Sequence, residues 1–354
     1  MRRHRLSGAS RIAKLAGRGG IAAAAWLVMV GPPSAAAAET LRDFYAGKQI
    51  TVVVGAGAGG GYDFQARVMA RHLGKHIPGN PSLIVQNMPG AGSITATNYI
   101  YNAATADGTV IALIQRGMLL ARLTNPGAVR FDIDKFNWIG SLNSETGVVL
   151  SWHTTEVRSV NDLFERELIV GAIAGVDPET TPRLLNALAG TKFKIITGYG
   201  STAQIALAIE RGEVQGIGDW SWSSLKAVRP DWLRDNKVRV LMQAALHKDP
   251  ELPDVPSALD FVKSEADRKA MELNFTQKTA ARPVVAPPGV PADRVAALRQ
   301  AFMALGADQE FRADVERSKL EIALVSGEVV DQVVQRIASA PVAIAERYVT
   351  ALTK

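Results

Sequence analysis

The stretch Gly55-Ala56-Gly57-Ala58-Gly59-Gly60-Gly61-Tyr62-Asp63 has residue types and spacing that could do chemistry. Six β-formers precede it, Gln49 to Val54, and Phe64, Arg67, Val68, Arg71 and His72 follow with helical periodicity, which predicts strand, glycine loop and helix over 49–73. A helix N-terminus offers unpaired N–H groups and the positive end of its dipole, and glycines let the backbone approach a bound group closely. The stretch therefore reads as an anion pocket. Gly55, Gly57 and Gly60 also meet the G-x-G-x-x-G spacing of dinucleotide-binding loops. That chemistry needs an acidic residue ending the next strand, whereas Leu83-Ile84-Val85-Gln86-Asn87 ends in amides. A polyphosphate loop needs Gly-Lys-Ser/Thr, and Gly60-Gly61-Tyr62 supplies no lysine. A small carboxylate fits better.

Other residues could contribute. Arg116, beside Gln115, and Arg183 could each grip a carboxylate with two parallel hydrogen bonds, although an arginine near a loop is more often a solvated charge. Asp63 could touch a ligand or merely cap its helix; facing a carboxylate it would repel unless water or a ligand donor intervened. Trp220 and Trp222 flank a strand end, as core residues or, for Trp220, as a platform for an aromatic ligand. His72 and His76 have the spacing of a metal pair, but Leu73 stands where a zinc-hydrolase helix carries its glutamate and no third ligand follows, so a solvated face is expected and no metal. There is no G-x-S-x-G elbow, so Ser-His-Asp catalysis has no support.

The elements that would position these residues alternate. After the first helix come the turn Pro78-Gly79-Asn80-Pro81, a strand over 83–87, a second glycine-rich helix entrance at Gly90-Ala91-Gly92-Ser93, and a third strand over 109–113. That rhythm predicts a parallel sheet covered by helices, with loops at the strands' C-terminal ends lining one crevice. The middle of the chain repeats it, with strands over 147–151, 168–172, 193–197 and 214–217, the last ending at Gly218-Asp219-Trp220. Helices are expected from Thr181 to Leu188, entered through Thr180-Thr181-Pro182, and from Ala203 to Glu210, opened by Tyr199-Gly200-Ser201-Thr202. Two α/β units with a cleft between them follow.

Residues 1–38 carry six basic residues, no acid, the apolar run Ile21 to Val30 and then an alanine run, which reads as a cleavable secretory signal peptide. Ten apolar residues are too few to span a bilayer. The chain of 354 residues has 40 basic and 34 acidic side chains, net +6, and the six signal-peptide cations carry that whole excess. The mature part is near neutral, so no nucleic-acid partner is expected. With no cysteine, disulfides and thiol chemistry are ruled out.

The chain resembles the extracytoplasmic solute receptors of tripartite tricarboxylate transporters, the Bug or TctC family. The matching segments occur in family order: Val52 to Asp63, Asn87-Met88-Pro89-Gly90-Ala91-Gly92, Asp107-Gly108-Thr109, Gly171 to Pro182, Tyr199-Gly200-Ser201, Leu252-Pro253-Asp254-Val255-Pro256 and Ala286-Pro287-Pro288-Gly289-Val290-Pro291. The resemblance implies an α/β, two-domain, periplasmic-binding-protein-like (Venus flytrap) fold, with domain 1 over 39–140 plus 272–354 and domain 2 over 141–271. It implies a periplasmic, monomeric receptor that holds a small organic carboxylate between its lobes and passes it to membrane permease subunits. Neither catalysis nor a cofactor is implied. Carried over by position, first-domain contacts come from Gly59, Gly60, Gly61 and Asp63, with Tyr62, Gln115 and Arg116 beside them. Second-domain contacts come from Ala174, Thr180, Thr181, Tyr199 and Asp219, with Gly200 and Trp220 adjacent. The returning strand is expected at Pro283 to Pro287 and a long last helix at Val329 to Tyr348. Two loops depart from the family pattern: Gly57-Ala58 stands where proline-rich residues are usual, and Gly175-Val176-Asp177-Pro178-Glu179 is longer. The rival functions are a ligand-presenting sensor component and a secreted dinucleotide-dependent oxidoreductase.

Overall fold

The computed structural model describes residues 40–353, so the expected signal peptide lies outside the described residues. Among the described residues, eleven strands make two sheets: β1 (Gln49–Val54), β2 (Ser82–Asn87), β3 (Val110–Leu113), β4 (Asn137–Ser141), β5 (Gly147–Trp152), β6 (Leu168–Gly171), β7 (Phe193–Ile196), β8 (Gly216–Ser221), β9 (Val238–Ala244), β10 (Pro283–Ala286) and β11 (Val325–Ser326). The first sheet has the order β11-β4-β10-β3-β1-β2 and the second β7-β6-β8-β5-β9. Helices flank both, giving the two-lobed architecture of periplasmic binding proteins.

Strand direction follows from how the chain moves between the sheets. β1 lies parallel to β2 and β3, as strands joined by helical crossovers must. β10 runs antiparallel to both β3 and β4. It comes back from the second sheet after helix Glu265–Thr276 and enters from the edge at which β3 ends. In the second sheet β6 is parallel to β7 and β8, while β5 is antiparallel to β8 and β9. Both sheets are thus mixed rather than parallel as expected. The consequence matters for function, because the C-terminal ends of β1 to β3 and of β6 to β8 all lie at the edge where the chain crosses over.

β1 is buried on both faces, with Ile50, Val52, Val53 and Val54 at most 1% exposed, as its unbroken apolar run requires. The following helix, Gly61–Leu73, buries Ala66, Val68, Met69 and Leu73 against this core. Three boundaries differ from expectation. The helix Asp177–Ala189 begins four residues before Thr181, because Pro178 presets the helical φ in the first turn and Asp177 and Glu179 complement the dipole. β8 continues through Ser221, so Asp219 and Trp220 are strand residues facing opposite sides. The single helix expected from Val329 to Tyr348 is two, Gly327–Ala338 and Val342–Thr353, since Pro341 cannot continue the hydrogen-bond ladder.

The helix Val342–Thr353 packs against helices Asp177–Ala189 and Glu265–Thr276. Its Tyr348 hydroxyl donates to Asn274 Oδ1 at 3.2 Å in a buried setting, and burial pushes the phenol's pKa up. Helix Glu265–Thr276 has a local start signal. Ser264 caps it by accepting the Asp267 N–H at 3.0 Å.

Candidate functional site

The glycine loop is shaped by Asp63, which is 3% exposed. Its Oδ2 accepts the Gly59 N–H at 2.8 Å and Arg67 Nε at 3.1 Å, and its Oδ1 accepts Asn87 Nδ2 at 2.9 Å. Burial works to raise the carboxyl's pKa, but the Arg67, Gly59 and Asn87 donors outweigh it and hold the group below the usual carboxylate range. Gly59 adopts φ +78°, a conformation that favours glycine. Both Asp63 oxygens are therefore engaged within the loop. Asp63 braces the loop, and the first-turn N–H groups beside Gly60 and Gly61 have no intrahelical acceptor.

Tyr62 carries the loop toward the chain crossing. Its hydroxyl donates to the Ala281 carbonyl at 3.0 Å and accepts the Arg116 N–H at 3.3 Å, and the Arg282 guanidinium lies 4.4 Å from its ring centre. Gln115 is held at the exit of β3 by its own N–H to Ser93 Oγ at 3.2 Å.

Arg116 departs most from expectation. Instead of being a solvated charge it is 8% exposed, and its guanidinium reaches from the first sheet to Asp177 at the start of helix Asp177–Ala189. Nε donates to Asp177 Oδ2 at 2.6 Å and Nη2 forms an ion pair with the same oxygen, while Nη1 approaches Ser221 Oγ at 3.5 Å. Burial would raise the Asp177 pKa, but Arg116, Lys278 and Arg282 together hold it below the ordinary range. The loop that precedes Asp177 closes on the first sheet as well, a Cβ built on Gly92 standing 3.7 Å from the Val176 side chain.

A second buried pair lies beside it. Asp219 Oδ2 accepts Lys278 Nζ at 2.5 Å and Thr181 Oγ1 at 2.7 Å, and Lys278 also donates to the Ala244 carbonyl at 2.8 Å. Asp219 Oδ1 and Thr180 Oγ1 are buried without a partner among the described residues. Burial, the largest influence, raises the Asp219 pKa despite Lys278. Glu145 accepts the Ser223 hydroxyl at 2.5 Å and Asn143 Nδ2 at 3.1 Å.

Of the expected residues, the structure brings Tyr62, Arg116, Thr181 and Asp219 together with Asp177, Lys278 and Arg282. Gly59, Gly60 and Gly61 form the adjoining loop. Ala174 is exposed, Tyr199 is half-buried against the second core, and Gly200, exposed, donates its N–H to Gln204 Oε1 at 2.6 Å. Trp220 is corrected to a core residue: it is 2% exposed, edge-on to Trp232 at 5.9 Å, because β8 turns it away from the face that carries Asp219. Arg183 pairs with Glu179 at 2.8 Å on its own helix. His72 and His76 do not form a solvated face; they contact Asp314 and Asp308, each at 2.9 Å, and tie helix Gln309–Arg317 and its cap to helix Gly61–Leu73 and the turn after it. His72, Asp308 and Glu310 are close enough to hold a metal ion, but Lys75 Nζ lies 2.7 Å from Asp308 and 2.6 Å from Glu310 and already meets their charge.

Asp177, Lys278 and Arg282 escaped the sequence reading. Asp177 sat in the loop noted as longer than usual, and Lys278 and Arg282 immediately precede the returning strand at Pro283. A separate cavity of about 640 Å³ is lined by Leu119, Phe131, Ile337 and Val349 together with Arg122, Asp132, Asp134 and Glu346.

No family model matches the chain, and no curated protein matches it. Solved structures do. A TctC solute-binding protein from Polaromonas, without ligand, is 21% identical with a TM-score of 0.62 over 87% of this chain and 99% of its own. MatC from Rhodopseudomonas palustris, with bound malate, is 19% identical with a TM-score of 0.63 over 86% and 99%. A second Rhodopseudomonas palustris protein, with adipate, is 21% identical with a TM-score of 0.66 over 86% and 97%. The chain shares the fold of these binding proteins along nearly its whole described length.

Proposed function

We propose that this chain is a receptor of the Bug/TctC type that binds a small organic carboxylate between its lobes and performs no chemistry on it. One observation carries the reading: buried cations, Arg116, Lys278 and Arg282, gather where the C-terminal edges of both sheets meet, next to a glycine-rich helix entrance. Such a place stabilises a carboxylate, and Arg116, Lys278 and Arg282 already hold the Asp177 pKa below the ordinary range despite its burial. The fold shared with proteins solved with malate and with adipate supports the same conclusion.

The lobes divide near residues 140 and 272, and the double crossing forms the hinge. The basic and apolar leader over 1–38 directs the chain to the periplasm, where a monomer delivers its ligand to tripartite tricarboxylate-type permease subunits. Three to five charge-assisted hydrogen bonds, less the cost of ordering and closure, leave about 8 kcal/mol, which is micromolar affinity.

A thermal-shift screen of the mature chain against small carboxylates, malate and adipate included, tests the reading. Stabilisation by organic acids and none by nicotinamide dinucleotides is expected. Binding of a dinucleotide, or turnover of a bound acid, overturns it. Uptake of labelled ligand in a deletion strain then tests delivery, and unchanged uptake favours the sensor role.

A further inference from the structure

Each cation in the crevice can be asked which carboxylate answers it. Arg116 is answered by Asp177, and Lys278 by Asp219. Of the other buried carboxylates, Glu145 is turned to Ser223 and Asn143, and Asp63 to Gly59, Arg67 and Asn87. Arg282 is left over. It is 3% exposed, its Nη1 donates to the Ala281 carbonyl at 3.0 Å, and its Nε is buried with no partner. Among the described residues it makes no ion pair.

A buried guanidinium with an idle N–H and no ion pair of its own is an unfavourable arrangement, only partly relieved by the Tyr62 ring at 4.4 Å and by Asp177 beyond contact distance. Its location gives it meaning. Tyr62 stands in the first turn of helix Gly61–Leu73, directly after the glycine loop, and Arg282 also acts electrostatically on Asp177 at the opposite helix. Arg282 therefore lies between the two helix entrances that face each other across the crossing. A planar fork in that position matches a carboxylate as a point-charge lysine would not.

We infer that Arg282 is the anchor for the ligand's ionised carboxylate, while Arg116 and Lys278 are reserved for holding the lobes to each other and to the hinge. The acid displaces neither internal pair. Its carboxylate meets Arg282 above Tyr62, and the rest of the molecule meets neutral groups, the first-turn amides beside Gly60 and Gly61 and the idle Thr180 hydroxyl. A second carboxylate on the ligand falls to those neutral donors. This rests on the receptor reading above.

The test uses calorimetry on the mature chain with adipate, malate and the neutral isostere adipamide, comparing wild type with Arg282→Gln and Arg282→Lys. Losing a charge-assisted fork is expected to weaken acid binding by about 10- to 100-fold in Arg282→Gln. The preference for adipate over adipamide should shrink by the same factor, which a general loosening of the fold would not produce. Arg282→Lys keeps the charge and should fall between. Acid affinity within about two-fold of wild type in Arg282→Gln overturns the anchor and leaves the receptor reading standing. Wild type that binds no small carboxylate overturns both. Should the glutamine variant misfold, a wild-type co-crystal with the bound acid decides: a carboxylate oxygen within about 3.2 Å of the Arg282 guanidinium supports the anchor, and a carboxylate seated elsewhere refutes it.

Discussion

Asp177→Asn removes the charge on which Arg116 closes while keeping the side chain's shape. The two side chains are 10% and 6% exposed, so solvent screening discounts their attraction little. At an effective dielectric of about 20, unit charges about 4 Å apart attract by about 4 kcal/mol, and stripping one partner from a buried pair costs about 3–5 kcal/mol. Asp219 and Glu145 also act on Arg116 and offset part of that loss, so about 3 kcal/mol is expected. The pair joins the exit of β3 to a helix of the other sheet, so the variant can relieve Arg116 by parting the lobes and letting water reach it. Without ligand, Asp177→Asn should show a lower urea midpoint and a larger radius of gyration by X-ray scattering. Acid should mimic it. Because the folded-state pKa of Asp177 is depressed, its stabilisation is fully present above the unfolded value of about 3.9 and is lost as pH falls through the folded value below it. Unchanged scattering together with an unchanged urea midpoint in Asp177→Asn would refute the claim that this pair holds the lobes together.

Three further outcomes are expected. Asp308→Ala removes the cap that accepts the Glu310 and Phe311 N–H groups at 2.9 and 3.2 Å, together with the contacts to Lys75 and His76, and should lower unfolding free energy by about 1–2 kcal/mol in urea titrations. Gly147→Ala places a Cβ against Asp219 Oδ1 and Lys278 Nζ, so it should force that buried pair apart and destabilise by about 3 kcal/mol or more, read as a fall in Tm. Asp63→Ala frees Gly59, Arg67 and Asn87, and should cost about 1–3 kcal/mol of stability and weaken carboxylate binding by calorimetry, because the glycine loop it braces loosens.

What the sequence disclosed was local. Strand, glycine loop and helix over 49–73 were legible because β-formers, glycines and helical periodicity act within a few residues of one another, and the lead Asp308 and Ser201 give their helices is equally short-range. Pro341 marked the break in the last helix just as locally, yet the apolar periodicity on either side of it suggested one continuous element. Direction was harder. Whether β10 runs with or against β3 depends on where the chain has been since residue 141, and no local pattern records that.

Charge pairing was hardest of all. Arg116 and Asp177 are 61 residues apart, and each taken alone looks like an ordinary surface charge; burial turns them into partners, and burial is a property of the assembled crossing. The same assembly separates residues that a motif groups together. Asp219 and Trp220 are neighbours in sequence, but the alternation of β8 sends the carboxylate to Lys278 and the indole to Trp232. A crevice whose cations are mostly answered from within can stay closed without cargo, and it leaves a single guanidinium to distinguish an acid from a neutral molecule. Selectivity in such a site depends less on how many positive residues line it than on which one the protein has left without a partner.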